Sequence, residues 1–127
     1  MKINQLIPEL LIEDMQKTLR FYHEVLGFQS EIVFPEKNPI FAQIGKDDAH
    51  IMLYSRNDFQ REIPKLKQVK MGASILLYFK VEKIKDFYKQ IKDKVKIIQT
   101  IHETEYDSIE FTIEDCNGYL LAFSQDK

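Results

Sequence analysis

Twice along the chain the spacing of apolar residues passes through the same succession of periods, and this repetition limits the possible fold more than any single residue does. Residues 3–12 are rich in apolar and β-branched side chains interrupted by Pro8, which predicts a first strand at a sheet edge or carrying a bulge. Asp14 then stands as an N-cap, Met15, Leu19, Tyr22 and Leu26 recur at helical spacing, and Gly27 falls where a left-handed C-terminal cap belongs. Residues 28–34, 40–44 and 49–54 are short strand candidates, separated by the turn-forming segments Pro35-Glu36-Lys37-Asn38-Pro39 and Gly45-Lys46-Asp47-Asp48. Residues 57–71 are polar, lack a clean period and contain Pro64, so they read as a connector with room for one helical turn. The plan then starts again. Residues 74–81 form a strand, Ile84, Phe87, Tyr88 and Ile91 a helical stripe, and 95–101, 108–113 and 119–124 three more strands. The expectation is one α+β domain over 1–127, built from two βαβββ modules at 1–56 and 72–127. Phe21-Tyr22 and Phe87-Tyr88 echo each other in the two helices, as an internal duplication would leave them.

Composition narrows the function classes. Apolar residues are 44% of the chain and charged residues 30%, with nine Phe and six Tyr, enough to build a core. Eighteen basic against twenty acidic side chains give a formal charge of −2, which favours neither nucleic acid nor an anionic membrane as partner. The lysines at 80, 83, 85, 89, 92, 94 and 96 are interrupted by Glu82, Asp86 and Asp93, the pattern of a solvated helix face. The single cysteine, Cys116, cannot form an internal disulfide, the N-terminus has no basic stretch leading into an apolar one, and no apolar run approaches the ~20 residues of a membrane span; a cytoplasmic protein is expected. Gly-rich phosphate loops, nucleophile elbows and paired-cysteine metal motifs are all missing from the sequence.

Two segments carry a resemblance. Pro8-Glu9-Leu10-Leu11-Ile12-Glu13-Asp14, followed by Thr18, Phe21-Tyr22 and Leu26-Gly27-Phe28, resembles the opening strand and helix of the vicinal oxygen chelate superfamily. That superfamily includes glyoxalase I, extradiol dioxygenases, fosfomycin resistance enzymes and bleomycin resistance proteins. Residues 109–123, around Asp115-Cys116-Asn117-Gly118, resemble its closing hairpin, with Cys116 where the family usually has proline and Asn117-Gly118 kept as the turn signal. The resemblance spans essentially the whole chain and implies two βαβββ modules forming a half-open, eight-stranded cup whose inner surface holds the ligand.

In metal-dependent members four ligands, His or Gln followed by Glu in each half, come from the first and last strand of each module. Counted from the motifs, those positions are Ile7, Met52, Leu76 and Ala122, and none offers the nitrogen, oxygen or thiolate donor that a divalent cation needs. No metal or other cofactor is therefore expected. By strand alternation, Ile75, Leu77, Phe79 and Val81 pack under the helices while Ser74, Leu76, Tyr78 and Lys80 face the cup. The same reasoning turns Glu9, Leu11, His50, Met52, Tyr54, Glu110, Thr112 and Ser124 inward, with Phe34 and Phe41 at the rim. The expected ligand-binding set is Glu9, Phe34, Phe41, His50, Met52, Tyr54, Leu76, Tyr78, Glu110 and Ala122, an apolar and aromatic wall with two carboxylates.

Each of these has a plainer reading. Glu9 and Glu110 can be solvated at strand ends or paired with Lys80 or Arg56; His23 is read as a surface residue and His102 as a loop residue; Tyr54 and Tyr78 serve as core or wall. The resemblance implies a homodimeric, metal-free binder of a small aromatic or cationic molecule, as in the bleomycin resistance branch. The alternative is a lyase, dioxygenase or transferase of the same superfamily, using a displaced metal site at Glu9, His50 and Glu110 or one of these carboxylates as base.

Overall fold

A computed structural model describes residues 1–72 and 74–127, and in it the chain divides into two compact units, Met1–Lys70 and Met71–Lys127. The first contains β1 (Glu9–Ile12), α1 (Met15–Glu24), β2 (Gln29–Phe34), β3 (Phe41–Lys46), β4 (Ala49–Ser55) and α2 (Arg56–Glu62), then a 3-10 turn, Pro64–Gln68. The second contains β5 (Leu76–Lys80), α3 (Ile84–Ile91), β6 (Lys96–Glu103), β7 (Ser108–Glu114) and β8 (Leu120–Asp126). Each unit holds one four-stranded mixed sheet, ordered β1-β4-β3-β2 in the first and β5-β8-β7-β6 in the second. In both, the first strand runs parallel to the last and the remaining pairs are antiparallel. This is the βαβββ plan, executed twice.

In the first unit Asp14 caps α1, its carboxylate accepting from Lys17 N at 3.0 Å, while the Thr18 hydroxyl donates to the Asp14 carbonyl at 2.8 Å. The helix buries Met15, Thr18 and Tyr22. Thr18 takes the place expected for Leu19, because its hydroxyl is satisfied by the cap and its methyl can face inward. Gly27, at φ +78°, ends the helix as expected, its N–H donating to His23 O at 3.1 Å and that of Phe28 to Tyr22 O at 2.9 Å. Under α1 lies the apolar face of the sheet, with Leu10, Ile12, Ala42, Ile44, Ile51 and Leu53 all buried.

In the second unit α3 starts without a side-chain cap of its own, and Gln125 from β8 accepts the Ile84 N–H at 2.8 Å instead. Phe87 and Tyr88 on α3 pack against Phe111 and Phe123 at ring separations of 4.9–5.8 Å, and Phe79 stacks on Phe123 at 5.2 Å. The β7–β8 turn is held by Asp115, whose Oδ1 accepts from Asn117 N at 2.8 Å and Tyr119 N at 2.9 Å, with Gly118 at φ +93°. These bonds supply the rigidity that proline in place of Cys116 would otherwise lend.

Several boundaries move. The first strand shrinks from the expected 3–12 to Glu9–Ile12, leaving Ile7 outside it, although Met52 N still donates to Pro8 O at 2.9 Å. The β3–β4 turn contracts to Asp47-Asp48, because Gly45 and Lys46 stay paired with His50 and Ala49. β5 begins at Leu76: Ser74 sits in a turn at φ +63° and is no part of the sheet wall, and Ile75, expected under the helix, is 38% exposed. His102 lies in β6 rather than in a loop. The connector is helical and packs on β4 and β1, since Phe59 stacks face to face on Tyr54 at 4.4 Å.

Candidate functional site

Ladder register decides which side chains share a face. In the first sheet Glu9 pairs with Met52 and Leu11 with Tyr54; Tyr54 in turn faces Phe41, Met52 faces Gln43, and Phe41 faces Phe34. Glu9, Phe34, Phe41, His50, Met52 and Tyr54 therefore line one face, opposite α1, as alternation predicts. Phe34 remains 64% exposed, while Phe41 meets Tyr54 edge-on at 5.8 Å. Tyr54, expected as a stacking platform, already has Phe59 on its ring. Burial and the nearby Glu62 both raise its pKa and that of Glu9 above the ordinary values.

One residue on this face had no signal in the sequence. β2 carries a bulge between Ser30 and Ile32, and the extra residue, Glu31, turns onto the sheet face. Its Oε1 accepts from Gln43 Nε2 at 3.1 Å and lies 2.9 Å from His50 Nδ1. Gly45 makes the room: a Cβ there would stand 2.6 Å from the Glu31 carboxylate. The hydrogen bond from His50, with that from Gln43, lowers the pKa of Glu31 below the ordinary range. Counted back from Phe34, strict alternation would have sent Glu31 to the other face.

In the second sheet Leu76 pairs with Leu120, Tyr78 with Ala122 and Ser124 with Glu110, so Leu76, Tyr78, Glu110 and Ala122 again share the face opposite their helix. Leu76 and Tyr78 are 48% and 49% exposed, whereas Glu110 keeps only 7% of its surface accessible. Its carboxylate is surrounded by hydroxyls: Tyr78 Oη donates to Oε2 at 2.5 Å, Ser108 Oγ to Oε2 at 3.1 Å and Tyr106 Oη to Oε1 at 3.1 Å. The Ser124 hydroxyl supports the same charge from across the ladder without reaching full hydrogen-bonding geometry with any partner. Burial alone would raise the pKa of Glu110, but the hydroxyls of Tyr78, Ser124, Ser108 and Tyr106 outweigh it and hold the carboxyl below the ordinary 4.5. Neither cation proposed as a partner takes part. Lys80 bonds Asp126 at 3.1 Å, and Arg56 lies 3.7 Å from Glu13 and donates to Val69 O at 2.8 Å.

The residues at the positions that the resemblance implies for the family's metal do not fit one. Met52, Leu76, Ala122 and Ile7 present hydrocarbon or a thioether. Of the displaced candidates, His50 is engaged by Glu31 and Glu110 by four hydroxyl-bearing residues, and among the described residues no group of three His, Cys, Asp or Glu is placed to hold an ion. Shallow hollows open beside the N-terminal ends of α1 and α3, the first reaching Ser55 of β4 and the second Ile109 of β7 and Gln125 of β8. No helix among the described residues is long and apolar enough to cross a membrane.

The comparisons agree with this architecture. The family model described as Glyoxalase/Bleomycin resistance protein/Dioxygenase superfamily matches residues 2–123, and the chain belongs to that superfamily. Among solved structures, the chain is similar to a protein of unknown function from Agrobacterium tumefaciens str. C58, at 16% identity and a TM-score of 0.82 over 100% of this chain and 97% of that one. It is similar also to a glyoxalase/bleomycin resistance protein/dioxygenase family enzyme from Burkholderia phytofirmans PsJN, at 18% identity and 0.77, covering 94% and 95%. A third is TnmS3, an antibiotic binding protein from Streptomyces sp. CB03234, at 15% identity and 0.73 over the full length of both chains. Among curated proteins none matches the sequence at a significant level.

Proposed function

We propose that this chain is a metal-free binding protein that sequesters a small aromatic or cationic molecule without changing it. The observation that carries the reading is Glu110, a nearly buried carboxylate held ionised by hydroxyls, with no cationic side chain of the described residues bonded to it. A buried anion without a counter-charge is costly, and a cationic ligand relieves that cost. Beside it, the exposed Leu76 and Tyr78 offer apolar and aromatic surface for the rest of such a ligand. The likeness to an antibiotic binding protein is in keeping with this role. A cytoplasmic homodimer is part of the same reading, and sedimentation of the purified protein tests the dimer.

Thermal denaturation with a planar aromatic cation such as proflavine tests the binding. Ligand at a hundred times its Kd stabilises the fold by about 2.7 kcal/mol. Glu110→Gln and Tyr78→Ala are each expected to reduce the shift; no protection by any member of a panel of aromatic cations overturns the reading.

One observation favours a second reading, an enzyme with Glu9 as general base, since burial and Glu62 raise the pKa of Glu9 towards the range a base needs. Glu110, held low, is a poor base. Chemical conversion of a bound ligand, detected by mass spectrometry and lost in Glu9→Gln with binding retained, would establish it.

A further inference from the structure

Resting on the reading of Glu110 as an anchor for a cation, the hydroxyls around it narrow the chemistry of the ligand. The two carboxylate oxygens are unequally served. Oε2 accepts from both Tyr78 and Ser108, and the Ser108 hydroxyl is itself paired with Thr104 Oγ1 at 2.7 Å, so this side is saturated by groups built into the sheet and its neighbouring turn. Oε1 accepts a single bond, from Tyr106, which belongs to the β6–β7 turn and is 69% exposed. Opposite Glu110 in the β7–β8 register stands Ser124, 1% exposed, whose hydroxyl helps to lower the Glu110 pKa but whose buried Oγ has no partner in full hydrogen-bonding geometry. Directly opposed residues of an antiparallel pair lie about 5 Å apart at Cβ on the same face, so this oxygen adjoins the carboxylate. With its hydrogen serving the Glu110 carboxylate, Ser124 Oγ keeps buried lone pairs that only a donor can fill. Lys80, the neighbouring cation on β5, is taken by Asp126.

We infer that the site takes an organic cation bearing N–H donors, a primary or secondary ammonium or an amidinium, and selects against a quaternary ammonium, with Glu110 Oε1 and Ser124 Oγ as the two acceptors. The Tyr106 hydroxyl is the member of the cage that such a ligand displaces, because its ring is largely in solvent and its loss leaves Oε2 fully served. A quaternary nitrogen has no N–H to give: its methyl groups hold it away from Oε1 and leave the lone pairs of Ser124 Oγ unfilled.

Titration calorimetry of the full chain with 2-naphthylmethylammonium and with its N,N,N-trimethyl counterpart tests this, the two probes sharing ring and charge. The primary ammonium is expected to bind about tenfold more tightly, the worth of one charge-assisted hydrogen bond. In Ser124→Ala that ratio falls towards one because the primary ammonium weakens, and in Tyr106→Phe the primary ammonium tightens. Equal affinities in the unaltered protein, tighter binding of the quaternary probe, or a ratio that Ser124→Ala leaves unchanged overturns the inference. The comparison of probes in the unaltered protein decides the matter even if a variant fails to fold. Binding of neither probe overturns the reading of Glu110 as a cation anchor, and so strikes at the proposed function rather than at the selectivity alone.

Discussion

At the scale of single residues, two carboxylates on sheet faces owe their state in part to neighbours distant in sequence, Tyr78 for Glu110 and His50 for Glu31. Glu110 has its pKa lowered in the fold, so its ionised form adds stability that is fully present above the unfolded value of 4.5 and is lost as pH falls through the lower folded value. Denaturant titrations of wild type and Glu110→Gln are therefore expected to differ by a constant amount above about pH 5.5 and to converge as the pH is lowered through the acid range. A difference that grows on acidification would mean that burial, not the hydroxyls, governs the group. Glu31 depends on Gly45 in the same way. Gly45→Ala places a methyl where the carboxylate lies, and because that carboxylate ends a flexible side chain it can swing aside at little cost to the fold. Carboxyl NMR should then show Glu31 titrating closer to the ordinary 4.5, its bonds to His50 and Gln43 gone. The identity of Glu31 is plain in the sequence; its place on the sheet face is not, because a bulge breaks the period of two on which alternation rests.

At the scale of elements, the two helix–sheet sandwiches and the added helix differ in what holds them. Phe111 is fully buried within the α3 cluster, so Phe111→Ala is expected to cost about 3–5 kcal/mol, read from chemical denaturation. Phe59 holds α2 through its stack on Tyr54 at a half-exposed site, and Phe59→Ala should cost about 1–2 kcal/mol while increasing proteolysis within residues 56–68. Equal losses in the two variants would show that α2 is as integral to the fold as α3. The strands, both long helices and the β7–β8 turn were legible because their signals are local: alternation, the Asp14 cap, Gly27 and Asn117-Gly118. The helix after β4 was not legible. Its stacking residue, Phe59, is an aromatic in a polar stretch, and the partner that orders it, Tyr54, belongs to a strand.

At the scale of the whole molecule, two four-stranded sheets repeat one plan, and the positions that the resemblance implies for the family's metal, Ile7, Met52, Leu76 and Ala122, carry side chains without suitable donors. Protein incubated with Zn, Mn, Ni and Fe(II) and then desalted is expected to retain less than about a tenth of an equivalent of metal, measured by plasma mass spectrometry. Near one equivalent would show that other residues converge on an ion and would raise the enzyme reading to first place. The sequence by itself determined the order of the two βαβββ modules, the duplication and, outside the bulge in β2 and the start of β5, which side chains of each strand share a face, because these follow from periods of two and 3.6 residues that the backbone imposes locally. Only the tertiary structure decided which of those side chains meet. Tyr78 reaches Glu110 across 32 positions and His50 reaches Glu31 across 19, through ladder register, a bulge and a glycine gap. The ionised state of Glu110 and the unfilled lone pairs of Ser124 Oγ arise from the same cause, since both depend on which polar groups the assembled sheet brings within reach of a buried site.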